Sequence, residues 1–382
     1  MTESRNNGIT SFRKTEKAAT PTKMSLKKID WYIIRKFLGT FFFAILLIMA
    51  IAVVLDYNEK MDNFAEHEAP TFAIFKYYCT FVPYMANMLS PLVIFVACIF
   101  FTSKLAGNSE IIAMLATGIS FNRLLRPYML SALFLGLLTF ALNSWVIPVT
   151  SVPRLALLKQ YYKDRDKKTQ YNNQFMVASG EVAFFYSFDR DSQTGYRFAL
   201  EKFEGTQLVS RLTADRASWE GNDTWHLTNY KIRDITERGE TITEGYAVDT
   251  VVHVAPEDII VGSKDMEKLT TPALKEYIDK QRGRGVGNIK EYEIEYHKRF
   301  AAIATSFILT FLGVCLSSKK IRGGMGINLG IGLVLAFAYI LFQTVSSSFA
   351  VSGAMSVTLA VWLPNLVYLP LCWYVYEKKA PK

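Results

Sequence analysis

The chain has 382 residues, of which 51% are hydrophobic and 20% are charged, and its formal net charge is +9. The apolar residues gather in blocks about twenty residues long with charged residues between them, which is typical of membrane spans rather than of buried core helices. Because the basic residues flank these blocks, the positive charge indicates a cytoplasmic membrane surface and argues against nucleic-acid binding.

The segment before the first apolar block has two parts. Residues 1–26 are polar and basic, which is typical of a flexible cytoplasmic tail. Residues 26–36 are amphipathic and predict a short helix on the membrane surface. We therefore assign residues 1–36 to a cytoplasmic tail and an interfacial helix.

Six apolar blocks predict six transmembrane helices. Three blocks lie within residues 37–148 and three within residues 300–382, so a long polar segment separates two groups of three. The predicted spans are residues 37–55, 77–101, 128–147, 300–316, 329–350 and 357–375.

The charges of the short loops predict the orientation of the chain. The loops between spans 2 and 3 and between spans 4 and 5 are basic, as is the C-terminus, whereas the loop between spans 1 and 2 is acidic on balance. The positive-inside rule then places both termini in the cytoplasm and residues 149–299 on the opposite side. In a bacterium, this describes a multi-pass inner-membrane protein with a periplasmic domain.

The polar segment predicts a β domain followed by a helical connector. Runs rich in aromatic and β-branched residues alternate with turn sequences, a pattern typical of a sandwich or a jelly roll. We predict a β-jellyroll-like domain over residues 149–265, inserted between transmembrane helices 3 and 4, and a helical connector over residues 266–299. The predicted strands are residues 181–188, 196–203, 208–219, 224–235 and 241–254.

The sequence contains no pattern typical of an enzyme. It has no Gly-x-Ser-x-Gly, no His-Glu-x-x-His and no Walker A loop, and its four histidines are scattered along the chain. We therefore predict no catalytic residue, no metal site and no cofactor. If transport consumes ATP, hydrolysis is expected in a separate partner chain.

The loop between spans 2 and 3 is the most informative segment. Asn108 or Ser109 is suited to cap a helix that begins near Glu110, and Gly118 is suited to end it. The residues between them are small and apolar, so the helix would expose an apolar face on the cytoplasmic side. Physical reasoning leaves two interpretations open, a docking helix for a partner groove and a helix lying on lipid.

Three segments of the chain carry a resemblance to a known family. The run Asn108–Ser120, Asn-Ser-Glu-Ile-Ile-Ala-Met-Leu-Ala-Thr-Gly-Ile-Ser, resembles the loop after span 2 in the LptF/LptG family of lipopolysaccharide-export permeases. Ile29–Ile33 resembles the start of that family, and Trp362–Tyr368 resembles its last span. The layout of three spans, a β domain and three spans extends the resemblance over nearly the whole chain.

The resemblance implies a half-transporter. It implies a second permease of the same family, identical or a sibling, and a cytoplasmic ABC ATPase dimer. The complex would extract lipopolysaccharide from the inner membrane, with spans 1 and 5 as lateral gates. The β domain would then pass the lipid to a periplasmic bridge protein with a jellyroll fold.

The resemblance also implies roles for particular residues. Residues 109–118 would form the coupling helix, with Glu110 as its polar contact to the ATPase. The other coupling-helix candidates are Ser109, Met114, Ala116 and Gly118. Lys60 is the best match to the basic residues that some family members carry at the periplasmic end of span 1. It is a candidate contact for a lipid phosphate, although pairing with Glu59 or Asp62, or simple solvation, stays an open alternative.

One predicted strand is apolar on both of its faces. Val182, Phe184, Tyr186 and Phe188 alternate along one face, and Ala183 and Phe185 lie on the other. The first four are candidates for the path of lipid acyl chains. A strand covered on both faces by its own domain explains the same pattern and is the alternative.

Two other function classes compete with lipid export. An ion-gradient transporter usually carries ionisable residues within its spans, and the central stretches predicted here contain no carboxylate, basic or histidine residue. A sensory membrane protein with a ligand-binding β domain would need an output domain, and the predicted cytoplasmic segments are too short for one.

Overall fold

The computed structural model describes residues 27–161, 169–178, 180–189, 192–236, 239–254, 256–259, 266–282, 289–320 and 324–379. The predicted tail at residues 1–26 lies outside these ranges. The helices are α1 Lys28–Glu66, α2 Thr71–Gly107, α3 Glu110–Ala116, α4 Phe121–Ala141, α5 Ile147–Tyr161, α6 Pro256–Ile259, α7 Thr271–Arg282, α8 Ile289–Ser317, α9 Met325–Val351 and α10 Val357–Lys379.

Six helical segments are long and apolar enough to cross a membrane. They are α1, α2, α4 continued into α5 through a π-helical turn at Leu142–Val146, and then α8, α9 and α10. Three of these segments precede the β domain and three follow it, as predicted. The predicted start of the β domain at residue 149 is wrong, because α5 continues the third segment to Tyr161 and the first described strand begins at Thr169.

The prediction of a separate interfacial helix before span 1 is wrong. α1 runs without a break from Lys28 to Glu66, because no proline or glycine interrupts the residues between Lys28 and Leu38. Asp30 stabilises the first turn, since its carboxylate accepts a hydrogen bond from the backbone N–H of Lys27 at 2.8 Å.

α8 is the central helix of the membrane bundle and packs against α2, α4 and α10. Small residues allow the close approaches: a Cβ added at Gly136 on α4 would lie 3.2 Å from the Cα of Ile303 on α8. α1 and α9, by contrast, bury few of their apolar side chains.

The β domain is a single antiparallel sheet of six described strands whose spatial order follows the chain order. The strands are β1 Thr169–Ala178, β2 Glu181–Asp189, β3 Thr194–Glu204, β4 Gln207–Gly221, β5 Thr224–Thr236 and β6 Gly239–Val251. The five predicted strands are present, although the last ends at Val251 and not at residue 254. β1 was missed because its first six residues are polar apart from Tyr171. The sheet is a meander, and the described strands show no Greek-key connection of the kind that defines a strict jelly roll.

One face of the sheet forms the core of the β domain. Phe185, Phe198 and Trp225 are fully buried there, with ring centroids of Phe185 and Trp225 5.2 Å apart. The chain after β6 covers one end of this face: Val254 belongs to the same cluster, and its carbonyl accepts a hydrogen bond from Trp225 Nε1 at 3.1 Å.

Candidate functional site

The predicted helix between spans 2 and 3 is present as α3. Gly118 ends it with φ at +85°, and the N–H groups of Gly118 and Ile119 donate to the carbonyls of Leu115 and Met114. This pair of hydrogen bonds is a Schellman motif, which needs a left-handed residue such as glycine. At the other end, Ser109 is itself left-handed, with φ at +62°, and its side chain makes no capping hydrogen bond, so the predicted side-chain cap is wrong.

α3 has one face packed on the bundle and one face exposed. Ile111 is fully buried, and Met114 and Leu115 pack against the membrane core. The opposite face presents Ile112, which is 54% exposed, together with Ala113 and Ala116. The exposed apolar face expected from the sequence therefore exists.

Sequence reasoning missed part of this exposed face. Met114 was a coupling candidate, but it lies on the packed side. Ile112 and Ala113 were not singled out, although positions 112, 113 and 116 have the spacing of a single helix face.

The N-terminal turns of α1 hold α3 and the start of α4. The Tyr32 hydroxyl donates to Glu110 Oε2 at 3.0 Å. The Arg123 guanidinium donates to both carboxylate oxygens of Asp30, at 2.8 and 2.5 Å. Asp30 is 1% exposed, so the carboxylate of this bidentate pair is buried. The sequence offered no signal for these contacts beyond the resemblance of Ile29–Ile33 to a family motif.

Lys60 lies in a largely buried cluster at the end of α1 distant from α3. Its ammonium group pairs with Asp56 and donates to the Tyr77 hydroxyl at 2.9 Å, and its side chain is 12% exposed. The Tyr78 hydroxyl donates to the other Asp56 oxygen at 3.2 Å. The predicted alternative of an acidic partner is thus realised with Asp56, one helical turn away, a residue that the sequence analysis did not name.

A second ionic cluster ties the connector to the membrane helices. Arg154 on α5 pairs with Glu267 and stacks on the ring of Tyr84, 3.9 Å from its centroid. The Tyr84 hydroxyl donates to the other Glu267 oxygen at 3.0 Å. Burial raises the pKa of the Glu267 carboxyl above its ordinary value, and the Arg154 guanidinium acts in the opposite direction.

Arg299 on α8 makes a third tie. Although it is 2% exposed, it donates to the carbonyl of Leu269 and to the hydroxyl of Thr271, both at 3.0 Å. Thr271 in turn donates to Ser144 in the π-helical turn at 2.9 Å. The connector that returns the chain from the sheet is therefore fixed to both groups of membrane helices.

The candidate acyl-chain residues of β2 do not share one environment. Val182 and Phe184 are half-buried, Tyr186 is 42% exposed, and Phe188 is fully buried. The Arg197 guanidinium lies over the Tyr186 ring, 5.1 Å from its centroid. Phe188 belongs to the sheet core, where its ring contacts Phe185 and Trp225.

Two histidines that are separated from other metal-ligand residues in the sequence are brought beside carboxylates. His226 Nδ1 lies 2.6 Å from Asp249 Oδ1, with the Glu220 carboxylate nearby, and His253 Nδ1 lies 3.0 Å from Asp223. Both pairs lie at one end of the sheet, where the turn between β4 and β5 meets the C-terminal end of β6. Their carboxylates are exposed. They have the character of surface ion pairs between neighbouring strands.

Six apolar helices in two groups of three, a β sheet inserted between the groups and a short helix with an exposed apolar face define a multi-pass membrane permease. Residues 31–378 match the family model described as lipopolysaccharide export system permease LptF/LptG, so the chain belongs to this family. The resemblance found in the sequence is confirmed.

The relatives agree with this assignment. The chain is similar to the lipopolysaccharide export system permease protein LptF of Escherichia coli strain K12 and to the protein of the same name in Shigella flexneri. Each is 24% identical over 306 residues, which cover 76% of this chain and 78% of the relative.

Proposed function

We propose that this chain is one of two permease subunits of an ATP-driven complex that extracts lipopolysaccharide from the inner membrane and passes it to a periplasmic bridge. The observation that carries the proposal is α3, a short helix with an exposed apolar face that is tied to the first span by the hydrogen bond from Tyr32 to Glu110. A free apolar helix face of this kind suits a groove on a partner protein.

The charges beside α3 support a cytoplasmic location for it. Lys104 precedes α3, and Arg123 and Arg126 follow it, while Lys319 and Lys320 lie in the loop between α8 and α9. By the positive-inside rule, these charges support a position of the loops, and with them of the α3 face, on the side where ATP is available. The β sheet and the connector would then lie on the periplasmic side.

The ties between α3 and α1 support a coupling role. Tyr32 and Asp30, two residues apart on α1, hold Glu110 on α3 and Arg123 just after it. A displacement of α3 by an ATPase would therefore be transmitted to the first span. Because α1 buries few of its apolar residues, it is suited to a lateral gate through which lipid enters.

The lipid-contact proposals concern Lys60 and the β sheet. Lys60 would contact a lipid phosphate by exchanging its Asp56 partner for the phosphate, since both anions bind an ammonium group. In the sheet, the half-buried side chains Val182 and Phe184 would contact acyl chains together with Tyr186. Phe188 would take part only if the domain core opened.

Photocrosslinking tests the function directly. A photoreactive amino acid in place of Tyr186 is expected to capture lipopolysaccharide in cells, and capture should depend on ATP. The matched control is Tyr246 on β6, which is 78% exposed and belongs to no proposed path. Equal capture at both positions, or capture without ATP, would contradict an ATP-driven export path over the β2 surface.

Pull-down of the tagged full chain tests the assembly. We expect an ABC ATPase and a permease of the same family to co-purify, and Glu110→Arg to remove the ATPase but retain the permease. An export activity driven by a pH gradient without ATP would instead indicate the ion-gradient alternative.

A further inference from the structure

An open groove runs along the N-terminal half of α1. Its volume is about 680 Å³, and it lies between α1 and the side chain of Phe100 on α2. It is lined by Lys28, Trp31, Tyr32, Arg35, Lys36, Gly39, Thr40, Phe43 and Phe100.

The chemistry of the groove changes along its length. Its α1 residues follow one helix face over about 22 Å from Lys28 to Phe43. The three cations lie in the first half. The second half is formed by Gly39, Thr40, Phe43 and Phe100, and the Thr40 hydroxyl is satisfied by the carbonyl of Lys36. Trp31, which is 62% exposed, lies at the cationic end. A cationic end with an aromatic side chain, followed by an apolar trough, is complementary to an amphiphile with an anionic head.

The cations of the groove have no acidic partner within the part of the chain that the structure describes. No ion pair involves Lys28, Arg35 or Lys36, whereas Arg123 on the same side of the molecule is paired with Asp30. Among the described residues, no carboxylate competes with an external anion for these three cations.

The apolar half of the groove is open because of a glycine. A Cβ added at Gly39 would meet no heavy atom within 4 Å, so the space beside it is empty. A larger side chain there would enter the groove without straining the helix.

We propose that this groove binds an anionic phospholipid of the membrane leaflet at the N-terminal end of α1. Arg35, Lys28 and Lys36 hold the headgroup phosphate, and an acyl chain lies along Gly39, Phe43 and Phe100. A free phosphate would leave the apolar half unused, and a zwitterionic lipid carries a cation that the three basic residues repel. The site is distinct from the Lys60 cluster, which lies at the opposite end of the same helix.

Fluorescence quenching of Trp31 tests the proposal on the full chain in nanodiscs. Brominated phosphatidylglycerol is expected to quench the Trp31 contribution, taken as the difference from Trp31→Phe, several-fold more than brominated phosphatidylcholine at equal content. Lys28→Gln/Arg35→Gln/Lys36→Gln should abolish this preference. The matched control, Lys104→Gln/Arg126→Gln/Lys378→Gln, removes three exposed cations from the same side and should retain it.

Gly39→Leu tests the apolar half separately. Native mass spectrometry of the detergent-purified chain should show retained phosphatidylglycerol with the wild type and several-fold less with Gly39→Leu. Equal quenching by the two lipids, equal loss in both triple variants, or displacement of the lipid by inorganic phosphate alone would overturn the proposal. Quenching that disappears when the partner permease binds would show that a protein covers the groove instead.

Discussion

Arg123 donates two hydrogen bonds to the carboxylate of Asp30, a residue 93 positions earlier in the chain, and so fixes the first turn of α1 to the helix that follows α3. Together with the bond between Tyr32 and Glu110, this pair makes the N-terminus of the first span and the exposed α3 helix one unit. The proposed coupling role depends on this unit moving as a whole.

Breaking this pair from the arginine side should destabilise the chain. Arg123→Met leaves the Asp30 carboxylate buried without its cation, which typically costs about 3–5 kcal/mol. We expect a lower midpoint of thermal unfolding in detergent and weaker coupling of ATP hydrolysis to transport. The double variant Asp30→Asn/Arg123→Met removes the stranded charge and should recover much of the stability. If it also recovers full coupling, the ion pair has only a structural role.

The exposed face of α3 should be sensitive to charge. Ile112→Asp places a carboxylate at the centre of the proposed docking surface while leaving the packed face of α3 unchanged. We expect the folded chain to be retained and binding of the ATPase, measured by pull-down or calorimetry, to weaken at least tenfold. Lys378→Asp on α10 introduces a carboxylate at another exposed site on the same side and should bind normally. Unchanged binding in Ile112→Asp would indicate that this face contacts lipid.

Tyr32→Phe isolates the tie between the first span and α3. The substitution removes one hydroxyl and its hydrogen bond to Glu110, and an exposed bond of this kind contributes about 1 kcal/mol or less. We expect nearly unchanged thermal stability and unchanged ATPase binding, but a reduced rate of lipid transport per ATP hydrolysed. A variant with the wild-type ratio of transport to hydrolysis would show that Tyr32 does not transmit movement.

The periodic features of the fold were predictable from the sequence, and the long-range contacts were not. Apolar blocks and alternating strands are local signals, so the spans and five of the six described strands were found. The pairing of Tyr32 with Glu110 joins residues 78 positions apart, and nothing local to either residue specifies it. The same holds for Arg154 and Glu267, which are 113 positions apart and which the sequence analysis did not single out.

Site predictions failed where one residue type suits several environments. Lys60 was identified by position, but its partner Asp56 was not, because acidic residues on several sides of Lys60 offered equivalent charges. Met114 and Ile112 are both apolar, and only the packing of α3 shows which of them faces outward. Phe188 follows the alternation that groups it with Val182, Phe184 and Tyr186, but its side chain is buried in the core of the β domain.

Substitutions of Asp56 and of Lys60 should change the retention of lipopolysaccharide in opposite directions. Asp56→Asn removes the anion that competes with a lipid phosphate, so retention of lipopolysaccharide by the purified complex should rise. Lys60→Gln should lower it severalfold. Lys76→Gln, an exposed cation on α2, serves as the control and should leave retention unchanged. If Asp56→Asn lowers retention as much as Lys60→Gln does, the cluster stabilises the helices and does not bind phosphate.

The tie between α5 and the connector can be tested by a double-mutant cycle. Arg154 and Glu267 side chains are 7% and 24% exposed, so Arg154→Met leaves a largely buried carboxylate without its cation. We expect a loss of about 3 kcal/mol or more in unfolding free energy. Glu267→Gln keeps one carbonyl oxygen that accepts from Arg154, and its amide N–H faces the Tyr84 hydroxyl, which can accept from it. The double variant should be more stable than Arg154→Met alone. Additive losses would show that the two side chains are not coupled.

The same carboxyl should contribute to the pH dependence of stability. Because burial raises the pKa of Glu267 above its ordinary value, the folded chain retains a proton there at a pH at which the unfolded chain has lost it. Its contribution therefore favours the folded state most below the ordinary pKa, and this gain is lost as the pH rises through the raised value. Thermal unfolding at a series of pH values should show a decline in the wild type over that window that is smaller in Glu267→Gln. Identical profiles for the two chains would mean that the attraction of Arg154 cancels the effect of burial.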